Sequence, residues 1–105
     1  MGLRIYWSDF SKNELQMIFN YYKERANLKV ARKLVLGITQ AVSKLQNQPY
    51  IGQKEGLLID RVTDFRYLVH KNFKMIYWIN TAENRIEIAD IFDTRQNPIK
   101  IKRGK

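Results

Sequence analysis

A chain of 105 residues, 45% of them hydrophobic and 12% aromatic, has the length of one domain and enough apolar mass to bury a core without staples. It contains no cysteine and a single histidine, His70, which excludes disulfides and thiolate metal sites and argues against a histidine-built one, so neither metal nor cofactor is expected. Nineteen Lys and Arg against ten Asp and Glu give a formal charge of +9, a balance that attracts polyanions and acidic proteins.

No run approaches the length that spans a bilayer, and the apolar stretch in "MGLRIYWSDF" is too short for a signal peptide. A cytoplasmic protein with no membrane partner is expected. One domain over residues 1–105 is read, with a basic tail from about residue 99; "IKIKRGK" carries four cations and no anion, and such a tail is expected to be mobile.

In chain order, "LRIYW" reads as a first strand. Ser8 or Ser11 can cap the helix that follows, with Ser11 and Glu14 at capping-box spacing. Leu15, Ile18, Phe19 and Tyr22 form the stripe of that helix, which runs to about Ala26. A second helix starts near Asn27, its stripe formed by Ala31, Leu34, Val35, Ile38, Val42 and Leu45. The two make an antiparallel hairpin, and Gly37 within the second suggests close packing there. Pro49 and Gly52 mark a turn, after which "GLLIDRV", "FRYLVHKN", "FKMIYWIN" and "NRIEIADIF" read as strands of an antiparallel meander. Asn72 suits a positive φ in the tight turn between two of them. The fold class is therefore α+β: an N-terminal strand, a two-helix antiparallel hairpin, then a three- to four-stranded antiparallel meander, with the helices packed on one face of the sheet.

If Lys71 and Asn72 form a two-residue turn, Val69 lies opposite Lys74, Tyr67 opposite Ile76 and Phe65 opposite Trp78. Phe73, Met75 and Tyr77, with Arg66, Leu68 and His70, then face the core. Tyr67, Val69, Lys74, Ile76 and Trp78 face the other way, where no helix is left to cover them. That face is too apolar to be left wet. Either it curls into the tail or a partner covers it; the partner reading is taken, with Tyr67, Val69, Ile76, Trp78, Lys100, Lys102 and Arg103 as its contacts. Asp90 interrupts the apolar alternation of Ile86, Ile88 and Phe92, which points to an ion pair with Lys74 or Arg66 or to a bulge. The polar run "FDTRQNP" could close off the last strand or hold a phosphate.

The order of strand, helical hairpin ending "LQNQPYIG", then "FRYLVHKNFKMIYWI" and "RIEIADIFDTRQNP" resembles the RelE/ParE superfamily of bacterial toxins, over nearly the whole chain. The resemblance implies a growth-inhibiting toxin of a type II toxin–antitoxin pair, of the kind that stabilises plasmids, neutralised by a cognate antitoxin. RelE-like members cut messenger RNA in the ribosome and ParE-like members block DNA gyrase. RNA cleavage needs a base, cations for the charged phosphorane and an acid for the leaving oxygen. RelE-like toxins supply these with lysines before the hairpin turn, an arginine after it, another after the last strand and a tyrosine in the tail. Here Lys74 replaces the first arginine and Arg95 matches the second, but Phe65 and Tyr67 stand where the lysines would fall and no tyrosine follows Arg95. The catalytic residues, if any, are left unknown: the candidates are Arg95, Lys74, Tyr67 and Arg66, with His70 placed last. The long hairpin and its "P..G" ending look more like the ParE side, so gyrase or another replication target is favoured over the ribosome and its message. A non-toxic antitoxin-binding module is the third reading.

Overall fold

The computed structural model describes residues 2–105. Strand β1 (Arg4–Trp7) leads into helices α1 (Asp9–Arg25) and α2 (Leu28–Ser43), followed by strands β2 (Gln53–Lys54), β3 (Arg66–His70), β4 (Phe73–Asn80) and β5 (Arg85–Asp93). The sheet order is β1-β5-β4-β3-β2. The last four strands are an antiparallel meander, and β1 joins its far edge parallel to β5.

Local chemistry sets the helix boundaries. Ser8 caps α1, its Oγ accepting from Ser11 N at 3.1 Å, while the buried Ser11 hydroxyl donates to Ser8 O at 2.9 Å. Both serines are therefore used, and the Ser11–Glu14 box is not. Asn27 caps α2 by accepting from Val30 N at 2.9 Å. With a helix ending at Arg25 and another beginning at Leu28, the hairpin has almost no loop. The α2 stripe supplies Leu34, Ile38 and Val42, and the 3₁₀ turn Lys44–Gln46 that follows it supplies Leu45, to a core completed by Phe73, Met75, Tyr77, Ile86, Ile88 and Ile91 of the sheet. Truncating such a residue, Ile38→Ala for example, removes about 2–5 kcal/mol.

Gly37 is explained by the sheet rather than by the helix partner. A Cβ built there would lie 2.4 Å from His70 Nε2, so any larger residue at 37 would have to displace the His70 ring that β3 presents to α2.

The β3–β4 register pairs Val69 with Lys74 and Tyr67 with Ile76, as the two-residue turn requires. The left-handed residue in that turn is Lys71, at φ 53°, and not Asn72. Asn72 is instead recruited by β5: its amide donates to Asp93 Oδ1 at 3.1 Å and its carbonyl accepts from Thr94 N at 2.8 Å.

Three further expectations are corrected. "GLLIDRV" is not a strand: Glu55 Oε2 accepts from Leu57 N at 3.3 Å and winds Gly56–Leu58 into a 3₁₀ turn, so only Gln53 and Lys54 pair with β3. The tail is folded, with Pro98–Lys102 forming another 3₁₀ turn that Asn97 caps through Ile99 N. The face of the sheet away from the helices is accordingly not open: Leu58 and Ile101 close over Ile76 and Phe92 in a second, smaller core, with Phe65 and Tyr67 at its margin.

A bulge makes this second core possible. The β4–β5 register jumps from Ile76↔Asp90 to Tyr77↔Ile88, leaving Ala89 unpaired. Ile86 and Ile88 point toward the helices; without the extra residue Asp90 would follow them into the main core. The bulge reverses the alternation, sending Ile91 to the helices and Asp90 and Phe92 to the tail side.

Candidate functional site

Of the sequence candidates, Lys74 and Tyr67 share the tail side of the sheet. Lys74 Nζ lies 2.6 Å from Glu55 Oε1 and 4.2 Å from the centroid of the Tyr67 ring. Glu55 is only 4% exposed, so this ammonium is committed to an internal carboxylate that would also repel a phosphate. Tyr67 donates to Gln53 Oε1 at 3.0 Å. Sequence reasoning missed Glu55; the signal was an acid at the turn in "GQKEG", one strand away from a lysine on an apolar face.

Arg66 points to the other side, at the sheet edge beneath the Pro49–Gly52 turn. Its Nη1 donates to Gly52 O at 3.0 Å, and its guanidinium stands 5.1 Å over the Tyr50 ring. Its Nε is within ion-pair reach of Asp64 Oδ2 at 3.3 Å but out of line for a hydrogen bond. The same turn is latched by Tyr77, which accepts from Gly52 N at 3.0 Å and donates to Pro49 O at 2.7 Å. Burial pushes this phenol above its ordinary pKa. The "P..G" motif is thereby a structural latch on a core tyrosine.

Arg95 leaves the end of β5 on the helix side. Its Nη2 and Nε fork onto Asp93 at 2.7 and 3.0 Å, and Nη2 lies 3.4 Å from the Tyr22 hydroxyl of α1. The Arg95 side chain, by its hydrogen bonds, holds the Asp93 carboxyl below the usual carboxylate range. The "FDTRQNP" run thus closes off the strand: Asp93 gathers Arg95 and Asn72, Thr94 binds Asn72 O, and Asn97 caps the tail turn. Arg95 is nonetheless exposed, so its outer nitrogen remains available.

The candidates therefore divide between two faces. Lys74 and Tyr67 lie on one; Arg66, Arg95 and His70 lie on the other, with His70 packed against Gly37. The two cations that match the toxin pattern, Lys74 and Arg95, thus stand on opposite faces, Lys74 against Glu55 and Arg95 beside Tyr22.

Of the residues assigned to a partner, Ile76 is buried beneath the tail and Trp78 half-buried, whereas Val69 stays 56% exposed. Lys100 and Lys102 are exposed, but Arg103 turns inward. Asp90 is fully buried, and its oxygens accept from Arg103 Nη2 at 3.0 Å and Lys105 Nζ at 2.7 Å. Arg103 also stacks over Phe10 and Phe92. Neither Lys74 nor Arg66 is Asp90's partner, so the tail itself supplies the ion pair. Burial lowers the Lys105 pKa, opposed by its bond to Asp90. An acid inside an apolar strand followed by a cationic tail was the available clue.

Among the described residues no group of three His, Cys, Asp or Glu side chains could hold a metal ion, and no helix is long and apolar enough to cross a membrane.

Comparison with known proteins gives a matching family model and solved structures of similar fold. The family model for the ParE toxin of type II toxin-antitoxin system, parDE, matches residues 5–98. A solved chain of the chromosomal ParDE TA system from P. aeruginosa superposes with a TM-score of 0.71 at 20% identity, over 87% of this chain and 95% of that one. At that identity the likeness carries the fold alone. No curated protein matches significantly.

Proposed function

This chain belongs to the ParE toxin family of type II toxin–antitoxin systems, and on that premise we propose that it arrests growth by inhibiting DNA gyrase and not by cutting messenger RNA. The observation that carries the choice is the disposition of the cations. RNA cleavage requires several charges and a proton-transfer group converging on one phosphate. Here Lys74 is neutralised by the buried Glu55, and Arg95 emerges on the opposite face beside Tyr22.

The neutralising partner is an acidic antitoxin. It covers exposed apolar residues on the tail side, Val69 and Ile99, flanked by Lys100 and Lys102. Ordering an acidic chain against a +9 protein stabilises both. The direct test is a supercoiling assay with purified gyrase and relaxed plasmid. Inhibition that titrates with the toxin and disappears on adding the antitoxin supports the proposal. Unimpaired supercoiling at toxin excess, with message cleavage on ribosomes, refutes it.

A further inference from the structure

The end of the molecule where α1 meets α2 gathers cations that, among the described residues, no carboxylate pairs. Residues 23–33 contain Lys23, Arg25, Lys29, Arg32 and Lys33 against one acid, Glu24. Lys33 and Lys71 line a single cavity of about 250 Å3, whose remaining walls are Tyr22, Val30, Leu34 and Asn72. Tyr22 also walls an adjoining cavity of about 280 Å3, together with Phe73, Ile91 and Arg95. Among the described residues neither Lys33 nor Lys71 has a carboxylate at ion-pair distance. The two acids that reach the second cavity are already engaged, Asp93 by Arg95 and Asn72, and Glu14 by Arg103 at 3.5 Å. Lys71 stands at the turn tip in the left-handed region, φ 53°, a conformation glycine or asparagine takes more readily.

We infer that this pole is a nucleotide-binding site: it seats an unpaired base on the floor formed by Tyr22, Val30 and Leu34 and sets phosphates against Lys33, Lys71 and Arg95. An aromatic platform beside several cations, of which Lys33 and Lys71 have no carboxylate partner and Arg95 keeps an outer nitrogen free of Asp93, is the arrangement that binds single-stranded nucleic acid without reading its sequence. A free nucleotide offers the same chemistry. The cavity between Lys33 and Lys71, at about 250 Å3, has room for one base and not for the apolar stripe of a helix. The inference concerns binding of a nucleotide and assigns no cleavage to the site, so it stands or falls apart from the toxin's cellular target.

The test uses the purified full chain and a labelled oligothymidylate about 12 nucleotides long, followed by anisotropy. Three phosphate contacts on a single strand predict that affinity falls roughly 20-fold between 50 and 200 mM salt, and about 7-fold after Lys33→Ala or Lys71→Ala removes one contact. Lys12→Ala, an equal change in net charge placed elsewhere, leaves the 20-fold dependence intact. Tyr22→Leu weakens binding about tenfold by removing the stacking platform, whereas Tyr22→Phe, which keeps the ring and the fold, stays within about twofold. Displacement by ATP at millimolar concentration assigns the site to free nucleotides; displacement only by oligonucleotides assigns it to nucleic acid. Equal losses from Lys12→Ala and Lys33→Ala, or displacement by polyglutamate as effective as by oligonucleotide, overturn the inference.

Discussion

Tyr77→Phe removes one oxygen from the centre of the fold and tests how the "P..G" turn is held. The Tyr77 hydroxyl is fully buried, accepts from Gly52 N at 3.0 Å and donates to Pro49 O at 2.7 Å. Deleting it breaks two hydrogen bonds and strands a backbone donor and acceptor. At about 1–3 kcal/mol for each group left without a partner, partly relieved by water reaching the turn, the loss is about 2–4 kcal/mol. For a domain of this size that lowers Tm by roughly 10–20 °C. Urea unfolding of the two proteins gives the difference directly. The pH dependence adds a second readout. Because the folded phenol titrates above its unfolded value of about 10, its contribution is complete below pH 10 and is lost as pH rises through the folded pKa. Tyr77→Phe should therefore be less stable at neutral pH and show a flatter alkaline limb. A cost below about 0.5 kcal/mol, the usual scatter of surface changes, with an unchanged alkaline limb, would refute the latch.

Four other outcomes are expected. Gly37→Ala destabilises the protein by about 1–3 kcal/mol through overpacking against His70, but in a His70→Ala background the same change gains up to about 1 kcal/mol from helix propensity; a double-mutant unfolding cycle measures both. Asp90→Ala leaves Arg103 and Lys105 without their shared carboxylate and costs about 3–5 kcal/mol, with hydrogen exchange rising across residues 98–105. Asp93, held below the usual carboxylate range by Arg95, contributes stability that is complete above its unfolded pKa of about 3.9 and is lost as pH falls below it, so Asp93→Asn flattens the acid limb in denaturation against pH. At equal expression Arg95→Ala reduces growth inhibition more than His70→Ala, because Arg95 is exposed beside the cationic pole and His70 is packed under α2.

The helical hairpin and the β3–β4 pair were legible because periodicity and turn length determine them locally. The stripe from Ala31 to Leu45 and the register of Val69 with Lys74 follow from 3.6- and 2-residue repeats. Whatever depends on contacts distant in sequence was not legible. Nothing near Gly56–Leu58 announces that Leu58 will meet Ile101, so an apolar run was read as a strand and the face above Ile76 as open. The bulge at Ala89 was half visible through Asp90, but its partners lie 13 and 15 residues away in the tail. Arg95 was noticed in the sequence, but the side on which it emerges was not legible: it stands beside Tyr22, because the bulge reverses the side on which Asp93 and its partner emerge. Alternation along β3 and β4 already separates Lys74 from Arg66 and His70, and the fold adds Arg95 to the side away from Lys74.

That separation underlies the central claim, that growth arrest comes through gyrase and not through cleavage of messages. Brief induction of the toxin in cells, with message ends mapped and DNA supercoiling and the damage response followed in parallel, tests it most directly. The account predicts altered supercoiling and damage signalling while messages stay intact; new codon-associated cuts within minutes, with supercoiling unchanged, would contradict it.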